Sequence, residues 1–223
     1  MSVNFLTATL VSLAGYFTPS EHRQSTAYAE DSLVAETYMV DYIMYLVDLT
    51  KWTETTLGPV LITRTDYIRK VSNTTEYYVI PYFTMGQSID CEPLTYSSKP
   101  TFVLKKDPDR KGIQYDYRLS IGYQPMGHSE IVSSRFTFPS GFADKEKEWW
   151  EASVAYPSKT VVVVIRFPAD KPSKNISVSR KMGIKGNEPI LHNLPSVSDG
   201  GRIVTWVGIN EKGNSRIHFD WDW

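Results

Sequence analysis

Residues 216–223 read Arg-Ile-His-Phe-Asp-Trp-Asp-Trp and alternate strictly between polar and apolar side chains. Successive side chains of an extended strand point to opposite faces, so Ile217, Phe219, Trp221 and Trp223 would share one face. A strand that places two tryptophans on one face is typical of a segment packed into a core. The stretch therefore predicts a β-strand whose period of two can be sought in the rest of the chain.

The same period of two governs the chain from Gly58 onward, and it predicts about ten strands separated by turns rich in glycine and proline. Val161–Ile165 carries no polar side chain, which predicts a central strand covered on both faces. Glu211–Asn214 reads as a turn and predicts a hairpin over residues 202–223. The predicted strands are Val60–Lys70, Glu76–Phe83, Thr101–Lys105, Gln114–Tyr123, Ile131–Phe138, Trp149–Tyr156, Thr160–Phe167, Ile176–Arg180, Arg202–Ile209 and Arg216–Trp223.

The opening quarter of the chain follows a different pattern. Leu6, Leu10, Leu13 and Phe17 are spaced by four, three and four residues, which is the helical repeat. Ser32–Trp52 is strongly apolar, and Thr37, Asp41 and Asp48 are spaced by four and seven residues on one narrow helical face, which predicts a helix of about 20 residues buried on most of its circumference.

These patterns together predict a mainly β protein: an antiparallel β-sandwich, Ig-like or jelly-roll-like, with an N-terminal helical segment. Residues 1–56 are interpreted as the helical segment and residues 57–223 as the β-sandwich domain. The acidic residues within Ser32–Trp52 would each cost about 2.5–3.5 kcal/mol at the centre of a bilayer, so no membrane span is expected.

Composition narrows the class of protein. The 223 residues are 41% hydrophobic and 13% aromatic, which supports a real core, and the net charge of −1 provides no field that attracts nucleic acid. Cys91 is the sole cysteine, which excludes an intrachain disulfide and favours a cytoplasmic location. Secretion is the alternative, because Ala27-Tyr28-Ala29 resembles a signal-peptide cleavage site, although residues 1–4 lack the expected positive charge.

No group of residues predicts catalysis, a metal or a cofactor. The four histidines are far apart in sequence, and the lone thiol of Cys91 lies between Asp90 and Glu92, which disfavour its thiolate. A hydrolase with a non-local site around His128 or His192 remains the enzymatic alternative. Nucleic acid binding is not expected, because the basic stretches lack interleaved aromatic residues.

Trp149 and Trp150 are adjacent, so they must face opposite sides of their strand. One ring would enter the core, and the other would meet a covering helix, a partner or a sugar ring. We therefore expect a non-catalytic module that binds a partner protein or its own copies through the apolar N-terminal helix and an aromatic sheet face. The alternatives are a structural subunit of a virus- or phage-like particle and a secreted carbohydrate-binding β-sandwich. The candidate interaction residues are Tyr38, Tyr42, Tyr45, Leu46, Trp149 and Trp150.

Overall fold

The computed structural model describes residues 37–73, 77–84, 89–95, 101–105, 113–139, 141–142, 144–182, 185–189 and 194–223. These residues form β-strands joined by turns and one 3-10 turn at Asp199–Gly201, and they contain no α-helix. The strands are β1 (Tyr38–Asp48), β2 (Val60–Lys70), β3 (Tyr78–Thr84), β4 (Asp90–Thr95), β5 (Thr101–Lys105), β6 (Ile113–Leu119), β7 (Ser129–Phe138), β8 (Lys147–Val154), β9 (Ser158–Arg166), β10 (Lys174–Met182), β11 (Lys185–Pro189), β12 (Ser196–Ser198), β13 (Ile203–Glu211) and β14 (Ser215–Asp222).

The described strands form three sheets. The seven-stranded sheet has the order β12-β13-β9-β1-β2-β7-β4, the four-stranded sheet β11-β10-β14-β8, and the three-stranded sheet β3-β6-β5. The β1–β9 pair is parallel, whereas the other described pairs are antiparallel. The mainly β class predicted from the sequence is confirmed.

The inner face of the seven-stranded sheet packs against the three-stranded sheet. Tyr38 of β1 meets Tyr78 of β3 edge-to-face, with ring centroids 5.5 Å apart. Tyr82 of β3 stacks on Phe136 of β7. All four rings are buried, so this contact forms one part of the core.

The same inner face packs against the four-stranded sheet. Tyr45 of β1 meets Trp150 of β8 at 5.2 Å, and Trp206 of β13 meets Phe219 of β14 at 6.0 Å between ring centroids. The described chain therefore has two layers, with one large sheet covered on one face by two smaller ones.

Two predictions about individual strands are confirmed. Ile217, Phe219 and Trp221 are fully buried and Trp223 nearly so, which places the apolar face of β14 in the core. Val161–Ile165 is buried at every position and lies in β9, between β13 and β1.

The predicted helix over Ser32–Trp52 is wrong where the structure describes it, because Tyr38–Asp48 is strand β1. A β-bulge between Val40 and Tyr42 leaves Asp41 without a register partner on β2 and shifts the alternation by one residue. Because of that shift, the apolar residues of the segment do not keep a period of two along its whole length. Their spacing in the sequence therefore resembles that of a helix. Strand β1 nevertheless pairs with β2 and β9, which belong to the predicted sandwich. The helix predicted from Leu6 to Phe17 lies outside the described residues.

The predicted hairpin over residues 202–223 is also wrong. Strand β13 pairs with β9 and β12, whereas β14 pairs with β10 and β8. The intervening turn thus links the two layers, and the apolar faces of the strands meet each other. Two amphipathic strands can bury their apolar faces either by pairing in one sheet or by packing face to face from two sheets. The sequence pattern is the same in both arrangements, so it does not distinguish between them.

Strands β4, β11 and β12 were not predicted, because none carries a clear alternation of apolar residues. Two of them, β4 and β12, are edge strands of the seven-stranded sheet, and β11 is an edge strand of the four-stranded sheet. Pro93 is tolerated in β4 because an edge strand need not donate every backbone hydrogen bond.

An ion pair lies inside the core, on the inner face of β2. Arg64 and Asp66 are 1% and 0% exposed, and Arg64 Nε donates to Asp66 Oδ1 at 2.8 Å and to Oδ2 at 3.0 Å. A buried charge is costly unless it is paired and hydrogen-bonded. The neighbouring strands supply the further hydrogen bonds.

These hydrogen bonds join all three sheets. Arg64 Nη1 donates to the Tyr45 hydroxyl on β1 and, at 3.1 Å, to the Ser153 carbonyl on β8 of the four-stranded sheet. The Tyr78 hydroxyl on β3 of the three-stranded sheet donates to Asp66 Oδ2 at 2.9 Å. The pair on β2 is thus the point at which the three sheets are connected.

The buried terminal strand yields a stability prediction. Trp221→Ala should lower the free energy of unfolding by about 3–5 kcal/mol, because it removes a large ring from the core and leaves a cavity. Urea unfolding measures the change. Leu194→Ala, at an exposed position, is the control and should leave the free energy of unfolding within about 0.5 kcal/mol. A Trp221→Ala protein as stable as the control would contradict the packing described.

Candidate recognition surface

The outer face of the seven-stranded sheet carries a row of apolar side chains at adjacent positions on β1, β2 and β7. Tyr42 pairs in register with Tyr67, and Tyr67 pairs with Ile131. Tyr67 is 40% exposed and Ile131 is 53% exposed, while Tyr42 is half-buried. Tyr42, Tyr67 and Ile131 are called the outer row below. Residues in this register are cross-strand neighbours on one face of the sheet.

Tyr42 gives the outer row a polar group with no hydrogen-bond partner. Its hydroxyl oxygen is buried and accepts or donates no hydrogen bond within the described residues. Burial raises the pKa of Tyr42, so the hydroxyl stays neutral. A buried hydroxyl without a partner costs about 1–3 kcal/mol. Leu46 lies on the same face, half-buried, farther along β1.

The loop that precedes β7 presents two further apolar side chains at the same end of the sheet. Tyr123 and Met126 are 82% and 61% exposed. The loop backbone is anchored by the buried ammonium of Lys70, which donates to the carbonyls of Gly122 and, at 2.7 Å, Gln124. A loop held this way presents its side chains at a low entropic cost of binding.

The other predicted interaction residues of β1 lie on the inner face. Tyr38 is buried against Tyr78 and Tyr156, and the buried Tyr45 donates from its hydroxyl to the Ser153 carbonyl at 2.7 Å. Both tyrosines belong to the core between the layers, whereas Tyr42 and Leu46 face outward. The structure therefore separates the four predicted β1 residues into two pairs.

Trp149 and Trp150 lie on opposite faces of β8, as their adjacency predicts. Trp150 faces inward and packs against Tyr45 and Phe219. Trp149 is 42% exposed on the outer face of the four-stranded sheet, where its ring stacks on that of His218 with centroids 5.3 Å apart. The two indoles therefore cannot form one stacking platform.

The surroundings of Trp149 form a network of charges centred on Glu151. Glu151 Oε1 accepts from Lys181 Nζ at 2.7 Å and lies 3.0 Å from His218 Nδ1, and its Oε2 accepts from Arg216 at 3.1 Å. Burial raises the pKa of Glu151, but the hydrogen bonds from His218 and Lys181 and the charge of Arg216 outweigh burial and lower that pKa to about 2. The polar groups nearest Trp149 are thus bonded to one another.

A cleft of about 440 Å³ lies beside the stacked rings of Trp52 and Trp223. Lys171 Nζ lies 4.8 Å from the Trp52 ring centroid and donates to Glu54 Oε1 at 2.7 Å. That hydrogen bond lowers the pKa of Glu54. Because both indoles are buried and the lysine is bound to the carboxylate, the cleft offers a ligand little free aromatic or charged surface.

The nucleophile and base candidates lie apart. Burial raises the pKa of the Cys91 thiol to about 12, which disfavours its thiolate at neutral pH. Burial, and not the charges of Asp90 and Glu92 expected from the sequence, is the cause of the raised pKa. His128 Nε2 lies 3.5 Å from Glu130 Oε2, and His192 lies outside the described residues.

Within the described residues, no group of three or more histidine, cysteine or acidic side chains is arranged to hold a metal ion. Among the same residues, no helix has the length and hydropathy required to cross a lipid bilayer.

Sequence reasoning missed Tyr67, Ile131, Tyr123 and Met126. Tyr67 and Ile131 fall on the outward phase of strands that the sequence did predict. An apolar residue at a position where the alternation of the strand predicts a polar one is therefore the sequence signal that could have identified them. What the sequence does not contain is the pairing of β1, β2 and β7, which places these residues beside Tyr42.

No protein-family model and no curated protein matches the chain. Among solved structures, yeast LTA4 hydrolase in complex with bestatin is 9% identical with a TM-score of 0.42, covering 92% of this chain and 32% of the hydrolase. Native leukotriene A4 hydrolase from Saccharomyces cerevisiae is 10% identical with a TM-score of 0.44, covering 95% and 33%. Collagen adhesin from S. aureus is 6% identical with a TM-score of 0.28, covering 85% and 81%. The chain spans about a third of the length of the hydrolases, and at these TM-scores the likenesses carry no functional argument.

The Glu151 network yields a pH prediction. Because the folded protein lowers the pKa of Glu151 from 4.5 to about 2, the ionised carboxylate stabilises the fold above pH 4.5 and this stabilisation is lost as the pH falls toward 2. The contribution is on the order of 2–3 kcal/mol. Wild-type protein should therefore exceed Glu151→Gln in free energy of unfolding by an amount that shrinks across this range.

Chemical unfolding at a series of pH values measures that difference. Glu146→Gln, which removes an exposed carboxylate, is the control for the loss of one negative charge. A difference between wild type and Glu151→Gln that stays constant with pH would show that the network does not hold Glu151 ionised.

Proposed function

We propose that the protein is a non-catalytic recognition module that binds a protein surface through the outer row, with a second copy of the chain as the first partner to test. The observation that carries the proposal is the row itself: Tyr42, Tyr67 and Ile131 are neighbours on three strands, and two of them are strongly exposed. Contiguous exposed apolar side chains on a protein surface mark interaction sites.

The chemistry of the row supports protein binding. Tyrosine is enriched at interfaces, because its ring contributes apolar area and its hydroxyl contributes a hydrogen bond. The hydroxyl of Tyr42 is buried, so the exposed ring of Tyr67 is the tyrosine of the row that a partner would contact first. Side chains on the central strands of a sheet are held rigidly, so little conformational entropy is lost on binding.

The loop before β7 carries two further exposed apolar side chains. Tyr123 and Met126 supply an aromatic ring and an adaptable thioether on a backbone that Lys70 anchors. A stable complex buries about 1,200–2,000 Å² in total, which requires contacts beyond the three residues of the row.

Carbohydrate binding is the less favoured alternative. It would need stacking platforms with free polar groups beside them, but Trp149 and Trp150 face opposite sides of β8. One side of Trp149 already stacks on His218, and the neighbouring Glu151 is engaged with Lys181 and Arg216. A subunit of a larger particle would use the same outer row, but its contacts would generate open or many-membered assemblies.

Sedimentation velocity over a concentration series tests the proposal. Wild-type protein should self-associate, and the double variant Tyr67→Asp/Ile131→Asp should weaken the association more than tenfold, because two charges would be buried in an apolar contact. Leu194→Asp adds one charge at an exposed apolar residue away from the row and is the control. Wild-type protein that remains monomeric throughout, or association that survives both aspartates, would contradict the proposal.

A further inference from the structure

His218 lies on the outer face of the four-stranded sheet, yet its side chain is only 9% exposed. The indole of Trp149, on the neighbouring strand β8, stacks on the imidazole with ring centroids 5.3 Å apart and shields it from solvent. Polar atoms that are removed from water almost always have hydrogen-bond partners. The two ring nitrogens of His218 must therefore be satisfied by the side chains around them.

Each ring nitrogen of His218 lies beside a carboxylate. Nδ1 is 3.0 Å from Glu151 Oε1, and Nε2 is 3.0 Å from Asp220 Oδ1. An ionised carboxylate accepts hydrogen bonds but donates none, so both contacts are hydrogen bonds only when both nitrogens carry a proton. Glu151 is ionised at neutral pH, because its pKa is lowered to about 2. The two carboxylates together therefore match the protonated, positively charged imidazole.

Lys181 contacts the same ring nitrogen as Glu151. Its Nζ lies 2.9 Å from His218 Nδ1 and 2.7 Å from Glu151 Oε1. An ammonium group donates hydrogen bonds but accepts none, so it can bond to Nδ1 only when that nitrogen carries no proton. The imidazole is then neutral, with its proton on Nε2, where it still donates to Asp220. Glu151 and Lys181 thus require opposite protonation states of Nδ1.

We propose that His218 is a proton-controlled switch in which Lys181 and Glu151 alternate as the hydrogen-bond partner of Nδ1. In the neutral state Nδ1 accepts a hydrogen bond from Lys181. Uptake of one proton from solvent at Nδ1 ends that bond, and the new N–H donates to Glu151 instead. Lys181 keeps its hydrogen bond to Glu151 but is repelled by the imidazolium. Imidazole is the side-chain group that ordinarily changes charge between about pH 5 and pH 8, which makes mild acidification the natural signal for the switch.

The switch changes the charge of the surface around Trp149. Within the described part of the chain, the charged groups that face His218 are Glu151 from β8, Lys181 from β10, and Arg216 and Asp220 from β14. Two are positive and two are negative, so their charges cancel while His218 is neutral. The added proton makes the cluster net positive beneath the exposed indole, whose ring face favours a nearby cation. This surface belongs to the four-stranded sheet, so the switch is separate from the outer row.

Nitrogen NMR of the wild-type protein, recorded from about pH 5 to pH 8, tests the proposal directly, because the chemical shifts of the two ring nitrogens identify the protonation state of a histidine. The expected result for His218 is a neutral ring with its proton on Nε2 at the upper end of the range, and a ring protonated on both nitrogens at the lower end. A neutral ring with its proton on Nδ1, or one protonation state across the whole range, would overturn the proposal.

Substitutions of the two competing partners should move the midpoint, the pH at which half of the His218 rings are protonated, in opposite directions. Lys181→Met should raise it by about one pH unit, because it removes a positive charge and the donor that the neutral ring uses. Glu151→Gln should lower it, because it removes the acceptor that the protonated ring uses. Lys212→Met removes the charge of an exposed lysine in the turn before β14 and is the control.

A midpoint that both substitutions leave at the wild-type value would show that Lys181 and Glu151 do not compete for Nδ1. If Glu151→Gln fails to fold, the protonation states of the wild-type ring still decide the matter.

The indole N–H signal of Trp149 shows whether the switch reaches the surface. In wild-type protein it should shift with pH at the same midpoint as the ring nitrogens of His218, because the two rings are stacked. His218→Gln should abolish that shift, whereas His128→Gln, which changes a histidine on another sheet, should preserve it. A Trp149 signal that does not respond to pH in the wild-type protein would contradict a switch that acts on this surface.

Discussion

The ion pair between Arg64 and Asp66 is the interaction on which the arrangement of the three sheets depends. Both residues lie on β2 and are fully buried, and their hydrogen bonds reach β1, β8 and β3. Apolar packing tolerates small sliding of one sheet over another, because it has no preferred direction. A buried pair does not tolerate it, since any displacement that breaks a hydrogen bond leaves a charge or a hydroxyl unsatisfied in the core.

Most of the stabilising free energy nevertheless comes from apolar burial around this pair. The rings of Tyr38, Phe136, Trp206 and Phe219 fill the space between the large sheet and the two small ones. The charged pair therefore selects one arrangement, and the aromatic packing stabilises it. Aromatic packing and the buried ion pair together hold the three sheets in two layers, with no α-helix among the described residues.

The same architecture leaves the part of the outer face that lies over β2 and β7 exposed. The inner face is occupied along β1, β2, β7, β9 and β13 by the two smaller sheets, whereas Tyr67 and Ile131 on the outer face remain exposed. Because side chains alternate along each regular stretch of strand, the residues that pack the core also determine which residues reach the outer face. Tyr42 is outward because Ile43 and Tyr45 pack the core.

The sequence predicted the position of most strands but not the way they pair. Strand β14 and the apolar run in β9 were evident, because burial on one or both faces leaves a periodic pattern. The bulge at Asp41 interrupts the alternation of β1, so the sequence predicted a helix there. The placement of β13 and β14 in different sheets depends on long-range contacts, which a local sequence pattern does not contain. The inward phase of Arg64 could be predicted from Ile62 and Ile68, but the identity of its partners on other sheets could not. The outer row as a whole could not be predicted for the same reason, because its three residues come from segments that are distant in sequence.

A double-mutant cycle on the ion pair tests this explanation most directly. Arg64→Met and Asp66→Leu should each lower the free energy of unfolding by about 3–5 kcal/mol, because each leaves its partner charge buried and unpaired. The double variant should be at least about 2 kcal/mol more stable than the sum of the single losses predicts. Additive losses in the cycle, or single variants within about 0.5 kcal/mol of wild type, would show that the pair does not hold the sheets together.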